Sequence, residues 1–178
     1  MQTVVHEDKE KQVVEKLDIS VLFVEDDDLL RAIYERILDK LVDRLYIASN
    51  GKEGIEAYHT HHPDMIITDI MMPVMDGLEM VEEIRKINRD VRLVILSAYG
   101  EAEYFMDAIK IGVNSFLLKP VETKKLISLV QELANGILLG RKVKEQEQQR
   151  KKAEEELRKL NQELEKRVEE RTIDLQRE

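Results

Sequence analysis

Five short apolar runs punctuate the chain: residues 21–24 (VLFV), 45–48 (LYIA), 65–67 (MII), 93–96 (LVIL) and 116–118 (FLL). None alternates with polar residues. Continuous apolar runs of this length suit strands of a parallel sheet covered on both faces. Between them the apolar spacing turns helical. Leu30, Ile33, Ile37 and Leu41 recur at intervals of three and four, behind Asp27 or Asp28, either of which suits an N-cap. Residues 51–61 follow with Ile55 and Tyr58, 77–86 with Met80, Val81 and Ile84, and 101–111 with Phe105, Ala108 and Ile109. The last segment, 121–139, carries Leu126, Val130, Leu133 and Ile137. Strand and helix alternate five times, which predicts an α/β domain built on a doubly wound parallel sheet.

The pattern divides the chain into a polar arm (1–18), a globular domain (19–139) and a tail (140–178). In the arm, Val13, Val14 and Leu17 suggest at most one short helical stripe. In the tail a seam runs through Leu139, Val143, Gln146, Arg150, Ala153, Leu157, Leu160, Leu164, Val168, Arg171 and Leu175. Its steps alternate between four and three, a heptad rhythm, with one extra step of four from Leu164 to Val168. Such a stutter locally unwinds a left-handed supercoil. No Pro or Gly follows Gly140, so a single helix of 38 residues, roughly 57 Å long, is expected. Gln146, Arg150 and Arg171 weaken the seam. A dimeric coiled coil is the leading reading and a solvated single helix the alternative. Gly136 and Gly140 each cost a helix interior about 1 kcal/mol and can kink the junction with the domain's last helix without necessarily breaking it.

Charge follows the same division. The 178 residues carry 28 Lys and Arg against 37 Asp and Glu, a net charge of −9. From Arg141 onward 12 basic residues nearly balance 11 acidic ones, so the acidity resides in the globular part. An acidic domain argues against general nucleic-acid binding, which needs cations to neutralise phosphates. The absence of Cys excludes disulfides, zinc ribbons and thiol nucleophiles. No apolar run approaches the length of a membrane span, and the polar start lacks a signal peptide's apolar stretch. A cytoplasmic protein is expected.

The candidate chemistry stands directly behind the apolar runs. Val24 is followed by Glu25, Asp26 and Asp27, Ile67 by Thr68 and Asp69, Leu96 by Ser97, and Leu118 by Lys119. Open α/β sheets bind ligands at the carboxyl ends of their strands, where strand order reverses. If the first and third strands are neighbours, Glu25, Asp26 and Asp69 converge, with Ser97 and Lys119 beside them. Two carboxylates about 4 Å apart repel by roughly 4 kcal/mol at an effective dielectric of 20. Such a cluster raises a pKa or holds a cation, and an oxygen-only donor set favours Mg²⁺. One carboxylate then serves as a nucleophile toward phosphorus, with Lys119 and Ser97 meeting the phosphoryl oxygens.

The stretches VLFVEDDDLL, MIITDIMMPVMDG, VILSAYGE and FLLKP resemble, in order and spacing, the receiver domain of two-component response regulators. The resemblance spans residues 21–139. It implies a flavodoxin-like (βα)5 fold of strand order 2-1-3-4-5, with Asp69 as phosphoacceptor. It implies that Glu25 and Asp26 organise Mg²⁺ together with Asp69 and the backbone carbonyl of Met71. Ser97 becomes the hydroxyl switch, Lys119 the phosphoryl-binding lysine, Phe116 the switch aromatic, and Lys119–Pro120 a cis bond. Two positions depart from the common pattern. The first acid is Glu25 instead of Asp, and Phe116 lacks a phenol, so its switch works by burial alone. Met71 and Tyr99 fall where side chains gate water.

Blander readings compete at several of these residues. Asp27 and Asp28 read better as helix caps than as ligands. His59, His61 and His62 invite a metal or phosphohistidine reading but sit at a helix end, where histidines complement the dipole. Met71, Met72 and Met75 read as loop packing, and Tyr104 and Phe105 as a helix face. The leading function is a phosphorelay switch that takes its phosphoryl group from a histidine kinase or phosphotransfer protein and acts on a dimeric helix. It catalyses nothing beyond its own phosphorylation and dephosphorylation. The tail reads as a linker to an output domain absent from the chain. The alternatives are a pseudo-receiver that is never phosphorylated and an aspartate-nucleophile phosphatase; the strand-one acids lack the spacing of the latter.

Overall fold

The computed structural model describes residues 15–98 and 102–175. Ten elements alternate from β1 (Leu17–Val24), α1 (Asp28–Asp39), β2 (Val42–Ala48) and α2 (Gly51–His61) to β3 (Met65–Asp69) and α3 (Gly77–Ile87). Then come β4 (Arg92–Ser97), α4 (Ala102–Ile111), β5 (Ser115–Leu118) and α5 (Thr123–Leu175). All strand pairs are parallel and the order is β2-β1-β3-β4-β5, the flavodoxin-like arrangement expected.

The apolar runs became strands because both faces of the sheet are covered. Leu22 and Val24 of β1, Ile66 of β3 and Leu93 and Ile95 of β4 join one buried cluster with Tyr58 of α2, Met80 and Ile84 of α3 and Ala108 of α4. The alternate residues face the other way. There Phe23 meets Tyr34 of α1 edge to face at 5.7 Å, and Leu126, Val130 and Ala134 of α5 are buried. The stripe of α5 thus steps by fours through Ala134, with Leu133 and Ile137 only partly covered.

Two strands are longer than their apolar runs. On the edge strand β2, Asp43 and Arg44 are exposed, so polar residues extend the strand without interrupting the ladder. β1 begins at Leu17, which therefore belongs to the sheet and not to a helical stripe; Val13 and Val14 lie outside the described residues. Ser20 is buried inside β1 because Asp64 satisfies it: its N–H and its hydroxyl both donate to Asp64 Oδ2 at 2.8 Å.

Helix starts follow the expected capping chemistry. Asp27 caps α1, accepting from the N–H groups of Leu29 and Leu30, while Asp28 occupies the first turn. Asp76 and Glu79 form a capping box on α3. α2 ends at His62 in the left-handed region, φ 46°, and His61 stacks on Tyr46 with ring centroids 4.0 Å apart.

The chain divides into two compact units that part between Asn135 and Gly136, and α5 contributes to both. The helix is continuous through Gly136 and Gly140. A Cβ at either glycine would meet nothing within 4 Å, so packing within the chain does not demand glycine there. From Gly140 to Thr172 every residue is exposed. No helix among the described residues is long and apolar enough to cross a membrane.

Candidate functional site

The strand register builds the site. Val24 pairs with Thr68, so Glu25 follows β1 beside Asp69, the last residue of β3. Asp69 pairs with Leu96, which sets Ser97 one residue further along β4, and Ser97 pairs with Leu118, which sets Lys119 one residue beyond β5. One oxygen each of Glu25, Asp26 and Asp69 lies within 4.8 Å of the others. Glu25 and Asp69 are buried, whereas Asp26 is exposed at the mouth. Lys119 spans the buried pair, its Nζ 2.8 Å from both Glu25 Oε2 and Asp69 Oδ2.

The electrostatics follow from these contacts. Burial raises the pKa of Glu25, with Asp69 adding to the effect, and the hydrogen bond and charge of Lys119 offset only part of it. Burial opposes the charge of Lys119, but its bonds to Asp69 and Glu25 outweigh that and raise its pKa. Carboxylates at this separation repel by roughly 3–4 kcal/mol at an effective dielectric near 20. With three carboxylates ionised, the single ammonium leaves an excess of two negative charges. Oxygen donors carrying that excess, one of them open to solvent, fit a hard divalent cation such as Mg²⁺.

The β3–α3 loop closes over Asp69. Ile70 N–H donates to Asp69 Oδ1 at 2.8 Å, and Gly77 N–H returns to the Ile70 carbonyl at 2.8 Å. A Cβ on Gly77 would stand 1.9 Å from the Asp69 carbonyl oxygen, so only glycine allows α3 to start this close to the acid. Met72 and Met75 pack against the core, while Met71 projects outward. Val74 carries φ 74° in a γ-turn closed by Met75 N–H on the Pro73 carbonyl at 2.9 Å. That conformation strains a β-branched residue by about 1–3 kcal/mol. Val74 is 81% exposed and loses no packing on truncation. Val74→Gly is therefore expected to stabilise the chain by about 1 kcal/mol after glycine's entropic cost, read as a higher urea midpoint at unchanged slope.

The response regulator receiver domain family matches residues 21–131. The chain belongs to this family. Receiver domains are signalling domains of two-component response regulators, and the fold and motifs described above are those of one. The receiver is 32% identical over 116 residues to the chemotaxis protein CheY of Bacillus subtilis, covering 65% of this chain and 97% of that protein. It is 40% identical over 86 residues to the transcriptional regulatory protein YesN of the same organism, covering 48% of this chain but only 23% of that one. Among solved structures, the N-terminal domain of an uncharacterised protein of Wolinella succinogenes superimposes with a TM-score of 0.65 at 35% identity. That match covers 69% of this chain and 98% of the other.

Within the receiver, Ser97 stands at the expected strand end, but its hydroxyl lies 3.2 Å from the Ala98 carbonyl, to which it donates. Phe116 is half-buried against Phe105, ring centroids 4.6 Å apart. Lys119–Pro120 is cis, as expected. Tyr99 lies outside the described residues. His59, His61 and His62 do not join a metal-binding group among the described residues, and their place at the end of α2 fits the dipole reading.

Sequence reasoning overlooked Arg31. Its Nη1 donates to the main-chain carbonyls of Glu25 at 2.8 Å and Asp26 at 3.2 Å, and its Nη2 pairs with Asp28. The guanidinium thereby holds the loop that aims both acids. A cation in the first turn of a helix opposes the dipole, which was the available signal that it had another partner.

Proposed function

We propose that this chain is the phosphoacceptor of a two-component relay. Asp69 takes a phosphoryl group from a phosphohistidine of a sensor histidine kinase or phosphotransfer protein. The observation that carries this reading is the bridge from Lys119 to both Glu25 and Asp69 beside the exposed Asp26.

Glu25, Asp26, Asp69 and the Met71 main-chain carbonyl would hold Mg²⁺, which when bound supplies charge neutralisation for the phosphoryl oxygens. An Asp69 carboxylate oxygen forms the new O–P bond as the N–P bond breaks, its electron pair passing to the imidazole nitrogen. Lys119 exchanges its contact with Asp69 Oδ2 for a phosphoryl oxygen. Ile70 N–H keeps Asp69 oriented through Oδ1. Ser97 turns its hydroxyl from the Ala98 carbonyl to another phosphoryl oxygen, and Phe116 repacks against Phe105 in response. The seam of α5, exposed along its length, supports pairing with a second copy as a coiled coil. Nothing in this scheme needs nucleic acid or a membrane, and a cytoplasmic location suits it.

The test is incubation with acetyl phosphate, followed by intact-mass measurement. One phosphate is expected on the wild-type chain with Mg²⁺ and none with EDTA or in Asp69→Asn. A wild-type chain that never gains phosphate is instead a pseudo-receiver.

A further inference from the structure

We propose that Arg31 is a positioning residue that sets the affinity of the acid cluster for Mg²⁺, acting through the main chain of Glu25 and Asp26. The inference rests on the cation site proposed above and names the residue that shapes it. Two acids consecutive in sequence both reach Asp69, since one oxygen each of Glu25, Asp26 and Asp69 lies within 4.8 Å of the others. An extended strand does not allow this, because successive side chains point to opposite faces. The chain therefore turns directly after Val24, the last residue of β1. The Arg31 guanidinium fixes that turn. Its Nη1 donates to the carbonyl oxygens of Glu25 at 2.8 Å and Asp26 at 3.2 Å, so two successive carbonyls converge on one nitrogen. Both peptide planes are held at the angle that brings the two acids to Asp69.

The chemistry of the contact separates this role from two others. Arg31 does not neutralise the cluster: its ion pair is with Asp28, and its bonds to residues 25 and 26 go to neutral carbonyls. Nor is it a surface ion pair kept for stability alone. Asp28 is 91% exposed, where a pair contributes little, whereas the arginine side chain is only 20% exposed. Asp28 instead orients the fork, taking Nη2 and leaving Nη1 for the carbonyls. A planar guanidinium does both at once; an ammonium, with its donors on one rotating nitrogen, does not fix the same angle. Groups that orient the ligands of a metal from outside its coordination sphere typically change its affinity by about ten- to a hundredfold. Charge alone works in the opposite direction, since a cation beside a cation site repels the metal. Removing Arg31 thus weakens Mg²⁺ binding if it positions the acids and strengthens binding if it acts only as a charge.

The test is calorimetric titration of the full chain with Mg²⁺ alone, which needs no phosphodonor. Arg31→Gln is expected to raise the dissociation constant about tenfold or more. Arg31→Lys keeps the charge but not the fork, and is expected to raise it about threefold or more. Arg36→Gln removes an exposed cation from the last turn of the same helix and is expected to leave the constant unchanged. Raising Mg²⁺ to saturation is expected to restore the wild-type rate of loading by acetyl phosphate in both Arg31 variants, because occupancy and not chemistry is lost. Tighter binding in Arg31→Gln, or a lower melting temperature with an unchanged dissociation constant, overturns the positioning role. A loading rate that stays low at saturation overturns a role confined to metal affinity. If Arg31→Gln does not fold, wild-type affinity in Arg31→Lys overturns the proposal by itself. A wild-type chain that binds Mg²⁺ but never gains phosphate leaves this inference standing and removes the phosphoacceptor reading; one that does not bind Mg²⁺ removes both.

Discussion

Lys119→Met is expected to slow Mg²⁺-dependent phosphorylation of Asp69 by about a hundredfold or more, and to destabilise the metal-free chain by about 3 kcal/mol. Both effects have one origin. The ammonium is the common partner of two buried carboxylates, 2.8 Å from each. Without it Glu25 and Asp69 face each other uncompensated, and removing one member of a buried ion pair typically costs 3–5 kcal/mol. Methionine keeps the length of the side chain, so the loss reports charge and not packing. The pH dependence is specific. The bonds of Lys119 to Asp69 and Glu25 overcome its burial and raise its pKa above the ordinary 10.5. The stabilisation is therefore complete below 10.5 and is lost as pH climbs through the folded-state value. Chemical denaturation across the alkaline range is expected to show that loss in the wild type and not in Lys119→Met. Equal stability of the two chains at neutral pH in EDTA would contradict the bridging role.

Glu25→Gln is expected to reverse the order of stability with metal. Burial, reinforced by Asp69, favours the protonated form of Glu25 and raises its pKa above 4.5. A raised carboxyl pKa contributes stability below 4.5 that disappears as pH rises through the folded-state value. At neutral pH the ionised side chain is thus a cost to the metal-free fold, and the amide removes it. In EDTA the variant is expected to melt higher than the wild type. Mg²⁺ at a hundredfold excess over its dissociation constant stabilises a binding-competent fold by about 2.7 kcal/mol. The wild type is expected to gain that and Glu25→Gln little of it at the same concentration. Equal Mg²⁺ responses in the two thermal melts would remove Glu25 from the cation site.

The fold was legible because its strands are covered on both faces and so read as unbroken apolar words. Where cover is one-sided the reading fell short. On edge strand β2, exposed Asp43 and Arg44 hid three residues of strand, and Ser20 inside β1 is intelligible only with Asp64, forty-four residues away. The glycines at 136 and 140 posed a different ambiguity. Their local cost allowed a kink without requiring a break; a long helix propagates cooperatively through two weak residues, and α5 is continuous. At the site, residue types and strand ends pointed to Glu25, Asp26, Asp69 and Lys119 without pointing to their pairing. That Lys119 bridges the two buried acids, and that the Ser97 hydroxyl turns to Ala98, are facts of side-chain rotation that spacing does not encode. For Arg31 the sequence offered a cation near a helix start and an Asp28 three residues before it, but not the main-chain carbonyls of Glu25 and Asp26 that the guanidinium holds.

In the proposed relay the Asp69 carboxylate is the group that bonds phosphorus. Borohydride reduces an aspartyl phosphate to the corresponding alcohol and leaves ordinary carboxylates and phosphate esters intact. After acetyl phosphate, Mg²⁺ and borohydride, peptide sequencing by mass spectrometry is expected to find homoserine in place of aspartate at position 69 and nowhere else. Homoserine at another aspartate, or phosphate retained on a serine or histidine with Asp69 unchanged, would contradict it.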